Sequence, residues 1–378
     1  MDKIEYQAMF FKNRLSKKYK ELRKWARKNR ISCYRLYDRD IPEIPVSVDL
    51  YEFLPDTVDT PIEAARFLSE QNAKLSENLP GIDEEIKSRT FIELYLYERP
   101  YDKPQDEENL WLEKMSEVCS EVIGIEQTHI IKKMRRHFSH ESQSQYEKND
   151  SSAHSGLIQE QGQIFRVDLT SYLDTGLFFD HRPLRSCVRD TCSKKRVLNL
   201  FCYTGSFSVY AAQGNAAYIE SVDLSNTYLN WAKDNMKLNG FCDNKKYVYT
   251  KADCMRFLQE KAVASKSGKL EANELYDLII LDPPTFSNSK STTDILDINR
   301  VWPQLVKDCL NILSPSGILY FSTNSERLKF DITKIPPKSA SGLSFNYEEI
   351  TAQTIPNDFT GKKPHRVWQF KVLLKTMF

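Results

Sequence analysis

The sequence predicts an α/β protein whose second half is a doubly wound, mostly parallel sheet, preceded by a smaller α+β unit. Three observations carry that expectation. At 378 residues the chain exceeds one ordinary core and calls for two domains, which we place at 1–155 and 156–378. Past that boundary, strand-like and helix-like segments alternate, the rhythm of a parallel sheet with crossover helices. Four chemically distinctive turns then follow successive strands, where open α/β sheets bind their ligands.

In chain order, residues 12–35 carry eleven Lys/Arg against a single acid, Glu21. Leu15, Tyr19, Leu22 and Ala26 recur at helical spacing and predict an amphipathic helix with a basic outer face. Such a face suits a phosphate backbone, because each neutralised phosphate releases counterions; the plain alternative is a solvated helix surface. Strand-like alternation follows at 44–50 and 90–97, and Thr60-Pro61-Ile62-Glu63 between them reads as a helix start. A helix is expected over 107–122, stopped by Gly124. Residues 130–136 read as a basic strand, and the polar tract 137–162 as a loop or domain junction. RNA contacts are therefore expected from Arg14, Lys17, Lys24, Arg35, Lys132, Lys133, Arg135 and Arg136.

In the second half, strands are expected at 197–200, 218–222, 246–250, 277–281 and 317–322. Helices are expected at 206–213, 226–238, 254–261 and 298–313. Bulk properties exclude several classes. Hydrophobic residues at 40% and charged residues at 28% exclude a disordered chain, and no apolar run nears the roughly 18 residues of a membrane span. The amino terminus lacks a signal-peptide pattern. Eight scattered cysteines without a C-x-x-C pair read as reduced thiols of a cytoplasmic protein. His137 and His140, with only Glu141 nearby, fall short of a metal ligand set, so no metal is expected.

The chemistry concentrates after the strands. The strand holding Asn199 runs into Phe201-Cys202-Tyr203-Thr204-Gly205-Ser206, where a glycine permits close backbone approach and the following helix start favours a negative ligand group. Asp223 follows the next strand, 18 positions after Gly205, with Leu224 and Ser225 beside it. A carboxylate there can accept both ribose hydroxyls of an adenosine. Asp253, with Cys254, follows the third strand and is suited to an adenine amino group. Both aspartates have a plainer reading as helix N-caps. The fourth strand ends in Asp282-Pro283-Pro284-Thr285-Phe286, where the prolines hold the loop extended and present a carboxylate and a ring. Four such turns in order point to a class I fold binding S-adenosylmethionine (SAM). A dinucleotide-binding oxidoreductase is excluded by the single glycine of this turn, where a pyrophosphate needs G-x-G-x-x-G. A non-catalytic RNA-binding protein that retains the pocket stays open as a different class.

Three stretches go further: 165–182 (FRVDLTSYLDTGLFFDHR), 221–229 (SVDLSNTYL) and 282–290 (DPPTFSNSK). They resemble the C-terminal, RlmK half of the bifunctional 23S rRNA methyltransferases of the RlmKL family, which is similar to enzymes methylating guanine at N7. The likeness extends through Asn13-Arg14-Leu15, Lys24-Trp25-Ala26, 33–38, Asn357-Asp358-Phe359 and His365, with 54–87 looking like an insertion. It implies that Tyr172, Thr175, Gly176, Phe178, Asp180 and Arg182 close over the donor pocket. It implies too that the guanine-N2 activity of the family's other half is either supplied by a separate protein or absent. The chain departs from the family pattern at 132–139 and at Ser322-Thr323-Asn324.

The expected reaction is in-line displacement from the SAM sulfonium. Guanine N7 offers a lone pair and no proton, so positioning and electrostatics suffice. Phe286 or Tyr203 would stack on the base. Cytosine C5 methylation would need a thiol nucleophile, for which only Cys202 and Cys254 lie beside the donor turns. Exocyclic amine methylation, at N2 of guanine or N6 of adenine, is the other alternative.

Overall fold

A computed structural model describes residues 2–99, 101, 103–134, 154–287 and 296–373. They form two compact units, Met1–Phe179 and Asp180–Phe378.

The first unit opens with α1 (Lys3–Lys28), longer than the basic segment alone suggests. Ala8, Phe11, Leu15, Leu22 and Ala26 lie buried along one stripe of it, at the helical period that commits that face to a core. Four strands, β1 (Cys33–Asp38), β2 (Val46–Glu52), β3 (Thr90–Leu96) and β4 (Ile130–Met134), form a sheet in that order. Its pairs are antiparallel except β3–β4. Three further helices are α2 (Pro61–Ser76), α3 (Ile82–Lys87) and α4 (Gln105–Ile123). α2 starts as the Thr-Pro signal predicts, its Thr60 side chain accepting from the Glu63 N–H. α4 ends at Gly124, whose φ of 77° only glycine adopts at little cost. α1 and α4 share the core with the sheet, Phe11 meeting Tyr37 edge-on at 5.0 Å. Residues 54–87, which resemble an insertion, hold α2 and α3.

The expected loop at 137–162 is corrected at its far end. β5 (Ser155–Glu160) and β6 (Gln163–Asp168) form a hairpin closed by Gln161 (φ 52°) and Gly162 (φ 93°), the left-handed pair that a two-residue turn requires. This hairpin belongs to the first unit, so the boundary falls later than residue 155. Backbone bonds dictate that: Ser32 N–H donates to Gln159 O at 2.9 Å, and Leu54 N–H to Leu157 O at 2.8 Å. Residues 135–153, with Arg135, Arg136, His137 and His140, lie outside the described residues.

The second unit runs α5 (Arg182–Thr191), β7 (Arg196–Leu200), α6 (Ser206–Gln213), β8 (Tyr218–Asp223), α7 (Asn226–Leu238), β9 (Tyr247–Lys251), α8 (Cys254–Lys266) and β10 (Tyr276–Leu281). It continues with the two-residue strands β11 (Phe286–Ser287) and β12 (Leu296–Asp297), α9 (Ile298–Ile312), β13 (Leu313–Thr323), β14 (Phe345–Glu349), α10 (Thr351–Thr354) and β15 (Arg366–Val372). The large sheet has the order β14-β15-β13-β10-β7-β8-β9. β15 runs antiparallel to both of its neighbours, and the other pairs in this sheet are parallel. From β7 the chain moves outward to β8 and β9, then returns to β10 on the other side, so the switch point lies between β7 and β10. Val197, Leu198 and Leu200 in β7, and 278–281 in β10, are buried completely, as central strands covered on both faces must be. Trp302 of α9 anchors the core by stacking on Phe330, centroids 4.9 Å apart.

Gly214 ends α6 where a Cβ would lie 2.2 Å from the Arg189 carbonyl oxygen and 2.5 Å from Cys192 Sγ. Gly214→Ala is expected to destabilise by roughly 1–3 kcal/mol through overpacking. Gly240→Ala has open space and only a φ of 81° to strain, and is expected to cost about 1 kcal/mol. Urea denaturation checks the order; a larger loss at Gly240 would refute the close α5–α6 packing.

Candidate active site

The carboxyl ends of β7, β8 and β10 bring the predicted turns to one edge. After β7, Phe201 (φ 54°), Tyr203 (φ 50°) and Gly205 (φ 75°) all take left-handed backbone. Two of these are not glycine, and strain of that kind persists where surrounding structure enforces it, commonly at ligand loops. Here it is enforced by bonds on each side. Phe201 N–H donates to Cys254 Sγ (3.2 Å), Tyr203 N–H to Asp223 Oδ2 (3.0 Å), and Asn235 Nδ2 to Thr204 O (2.9 Å). A Cβ on Gly205 would approach the Ala232 Cβ to 2.7 Å, so glycine is required by helix packing as well as by φ. Gly205 gives α6 no side-chain cap, so the helix start at Ser206 is suited to an anionic ligand group.

Asp223 is not the cap of α7. That role is taken by Ser225, whose side chain accepts from the Tyr228 N–H. Asp223 accepts one backbone N–H on each oxygen, Tyr203 at 3.0 Å and Ser225 at 2.9 Å, through the turn containing Leu224. Each oxygen keeps acceptor capacity for a ribose hydroxyl. Burial raises its pKa, and the backbone N–H groups of Ser225, Tyr203 and Leu224 oppose the rise. At Asp253 the plainer reading holds: it caps α8, Oδ1 accepting from Met255 (2.8 Å) and Arg256 (3.2 Å). Both bonds fall on one oxygen, so a ligand contact through the other remains compatible. Asn199 serves beneath the loop, donating to Ser208 Oγ (2.9 Å), which meets Ser221 Oγ at 2.8 Å. Cys254 and Cys202 are buried, and burial pushes both thiols well up. Neither offers the thiolate that C5 methylation needs.

On the acceptor side, Pro283 is buried, Pro284 exposed, and the Phe286 ring is 59% exposed. Thr285 Oγ1 donates to Asn324 Oδ1, fixing the loop to the end of β13. Asp282 lies 3.4 Å from His181 Nε2. Behind it runs a largely buried chain of which sequence reasoning placed only Asp180 at the pocket and left His181 and Ser322 without a role. His181 Nε2 is 2.7 Å from Ser322 Oγ, and its Nδ1 is 3.3 Å from Asp180 Oδ1. Asp180 Oδ2 meets His365 Nδ1 at 2.9 Å, and His365 Nε2 meets Thr354 Oγ1 at 3.0 Å. The two imidazoles stack at 4.3 Å. Asp180, His181 and His365 bring one nitrogen or oxygen atom each within 4.8 Å of one another, Asp180 bridging the two imidazoles. No spacing in the sequence joins residues 180, 181, 322 and 365; the sheet does.

The resemblance-implied residues divide between the units. Arg182 is 1% exposed and pairs with Asp358 at 2.9 Å; with Asp180 it stands in the second unit as part of the buried polar interior. Tyr172, Thr175, Gly176 and Phe178 belong to the first unit. There Asp168 Oδ1 accepts from Thr170 and Ser171 N–H, and Thr175 Oγ1 is 2.9 Å from the Tyr51 hydroxyl. Lys133 Nζ donates to Tyr172 O (3.0 Å) and Leu173 O (2.9 Å) while pairing with Glu93. Lys133 is thus largely buried scaffold instead of a phosphate grip. The same correction applies to Arg35, clamped on Asp49 at 2.8 and 2.7 Å. Arg14 pairs with Asp40 and Lys132 with Glu113, both more exposed. Lys17 and Lys24 stand exposed on α1 with Lys20 and Lys28, and no ion pair is found for these four among the described residues.

Residues 95–342 match the S-adenosylmethionine-dependent methyltransferase family. The chain is 37% identical over 361 residues to ribosomal RNA large subunit methyltransferase K of Neisseria meningitidis serogroup B, covering 96% of this chain and 86% of that protein. It is 36% identical over 363 residues to ribosomal RNA large subunit methyltransferase K/L of Magnetococcus marinus, covering 96% of this chain but only 43% of the relative. The crystal structure of SMU.776 complexed with SAH matches with a TM-score of 0.64 over 97% of this chain and 82% of that one, at 19% identity, a likeness of fold. The chain therefore belongs to the S-adenosylmethionine-dependent methyltransferase family, with a class I fold. It is an enzyme that uses SAM as methyl donor, and over 96% of its own length it is similar to the large-subunit K enzyme and to under half of the K/L enzyme.

Asp223→Ala is expected to weaken SAM binding about 100-fold, since two charge-assisted hydrogen bonds are lost. In the native enzyme, affinity is expected to fall as pH drops, beginning at a higher pH than an ordinary aspartate dictates, because burial raises this carboxyl and only its ionised form accepts both hydroxyls. Calorimetric titration across pH measures both; near-normal affinity in the variant would move the pocket elsewhere.

Proposed function

We propose that this chain methylates large-subunit ribosomal RNA at N7 of a guanine. The observation that carries the reading is the loop Asp282 to Phe286, a carboxylate and an exposed ring at the same sheet edge as the donor turns. SAM supplies the methyl group as an electrophile. The chain's own residues bind and orient. Asp223 takes the ribose, Asp253 the adenine, and residues 203–206 the methionine end. Pro283, Pro284 and Thr285 hold Asp282 and Phe286 toward the acceptor base. Support for RNA comes from the relatives named as ribosomal RNA methyltransferases and from the exposed stripe Lys17, Lys20, Lys24 and Lys28. Support for N7 comes from the motif resemblance, and from the raised thiols that count against C5 chemistry. Correspondence to one half of the K/L enzymes agrees with the 43% of that relative that the chain spans. A separate guanine-N2 methyltransferase belongs to this proposal, as does action in the cytoplasm, to which eight free cysteines are suited. No described helix is long and apolar enough to cross a membrane.

Methylation of protein-free 23S rRNA with labelled SAM, followed by nucleoside analysis, is expected to yield 7-methylguanosine. N2-methylguanosine, N6-methyladenosine or 5-methylcytidine would overturn the acceptor assignment, and binding without turnover in assembly intermediates as well would favour a non-catalytic RNA-binding protein. Replacing Lys17, Lys20, Lys24 and Lys28 by Gln is expected to weaken RNA binding at low salt and flatten its log–log salt slope by roughly 3. An unchanged slope would remove α1 from the interface.

A further inference from the structure

We propose that His181, held from behind by Asp180 and His365, is a positioning residue that fixes the Asp282 carboxylate toward the acceptor base. This rests on the reading of Asp282 as an acceptor-side group. The geometry is that of a clamp. Asp282 is the outer, 27% exposed end; His181 behind it is 8% exposed and reaches Asp282 Oδ1 at 3.4 Å and Ser322 Oγ at 2.7 Å through the same Nε2. Its other nitrogen faces Asp180 at 3.3 Å, and Asp180 in turn is held by His365. Phe207 closes the side of the ring edge-on at 5.9 Å. Ser322 belongs to β13, Asp282 follows β10, and His365 is anchored on Thr354 of α10.

Charge follows from the same surroundings. The groups facing His181 are two carboxylates, Asp180 and Asp282, and one further imidazole, His365; the neighbouring Arg182 is neutralised by Asp358. Burial disfavours the imidazolium, but Asp282 and Asp180 outweigh it and raise the His181 pKa to about 10. Burial likewise opposes charge on Asp282, and the cation of His181 turns the balance and lowers that carboxyl. Both partners are therefore charged at neutral pH. An anion held this way does not suit a general base, because its proton affinity is low. It suits a fixed negative charge beside a base that becomes positive. In the proposed step the methyl carbon leaves sulfur for N7, the sulfonium becomes a neutral thioether, and the guanine acquires the positive charge. No proton moves. Preorganised charge aimed at developing opposite charge is the largest single contribution available to such a site.

The test has two arms on the full chain. Histidine ring ¹⁵N spectra report protonation directly: one of the six histidines is expected to keep both ring protons at pH 8, and its signal to vanish in His181→Gln. A spectrum in which no histidine is doubly protonated at pH 8 overturns the inference and needs no variant. The second arm is a cycle of His181→Gln and Asp282→Asn. His181→Gln is expected to lower kcat roughly 30- to 100-fold with SAM affinity within about twofold, and to move the acid limb of the kcat profile upward. In the Asp282→Asn background the same change is expected to cost less than about threefold. Full multiplicative loss there, or an unmoved acid limb, makes His181 merely structural. Native enzyme that is inactive on 23S rRNA while retaining the imidazolium would overturn the RNA assignment and not this one.

Discussion

The site depends on one constraint, the reversal of winding direction between the adjacent parallel strands β7 and β10. After β7 the chain winds to one side and after β10 to the other, so their carboxyl ends diverge and leave a crevice. Parallel pairing aligns those ends, with Leu200 beside Val222 on one flank and Leu281 on the other. The turns after β7, β8 and β9 and the Asp282 loop after β10 each follow a strand of this sheet within a few residues. The crevice thus receives its chemistry from turns, while the largely buried strands set where the turns stand.

Backbone strain and buried charge then do complementary jobs at that edge. The left-handed residues after β7 cost conformational energy, which the Asp223, Cys254 and Asn235 contacts offset. Asp223 braces the loop with one backbone bond on each oxygen, and each oxygen keeps acceptor capacity. On the acceptor side the same economy appears in charge. Asp282 sits in a position where an isolated carboxylate would tend to neutralise, and the histidine behind it reverses that tendency. In the first unit, charge is divided by depth: Arg35 and Lys133 serve the sheet, whereas the lysines of α1 face water.

Legibility from sequence followed the range of the interaction concerned. The helices 206–213 and 226–238 have the expected bounds, because caps, turns and periodicity are local signals. β1, the β5–β6 hairpin, α5, β14 and β15 went unassigned. β1 is buried at nearly every position and so lacks alternation. The hairpin sits at the edge of a polar tract, and its Gln-Gly turn is a weaker signal than Asn-Gly. The donor turns were legible for the same local reason, as a glycine or an aspartate directly after an apolar run.

The sequence by itself determined the alternation of elements, the order of the four turns and the kind of ligand they suit, since each is written within a dozen residues of chain. Only the tertiary structure decided which charges serve the site. Arg35 and Lys133 look like their exposed neighbours until the carboxylates opposite them are known. His181, Ser322 and His365 acquire a role only when β10, β13 and the turn before β15 lie side by side. A charge's effect depends on burial and partners, and both are properties of the folded chain rather than of any segment in it.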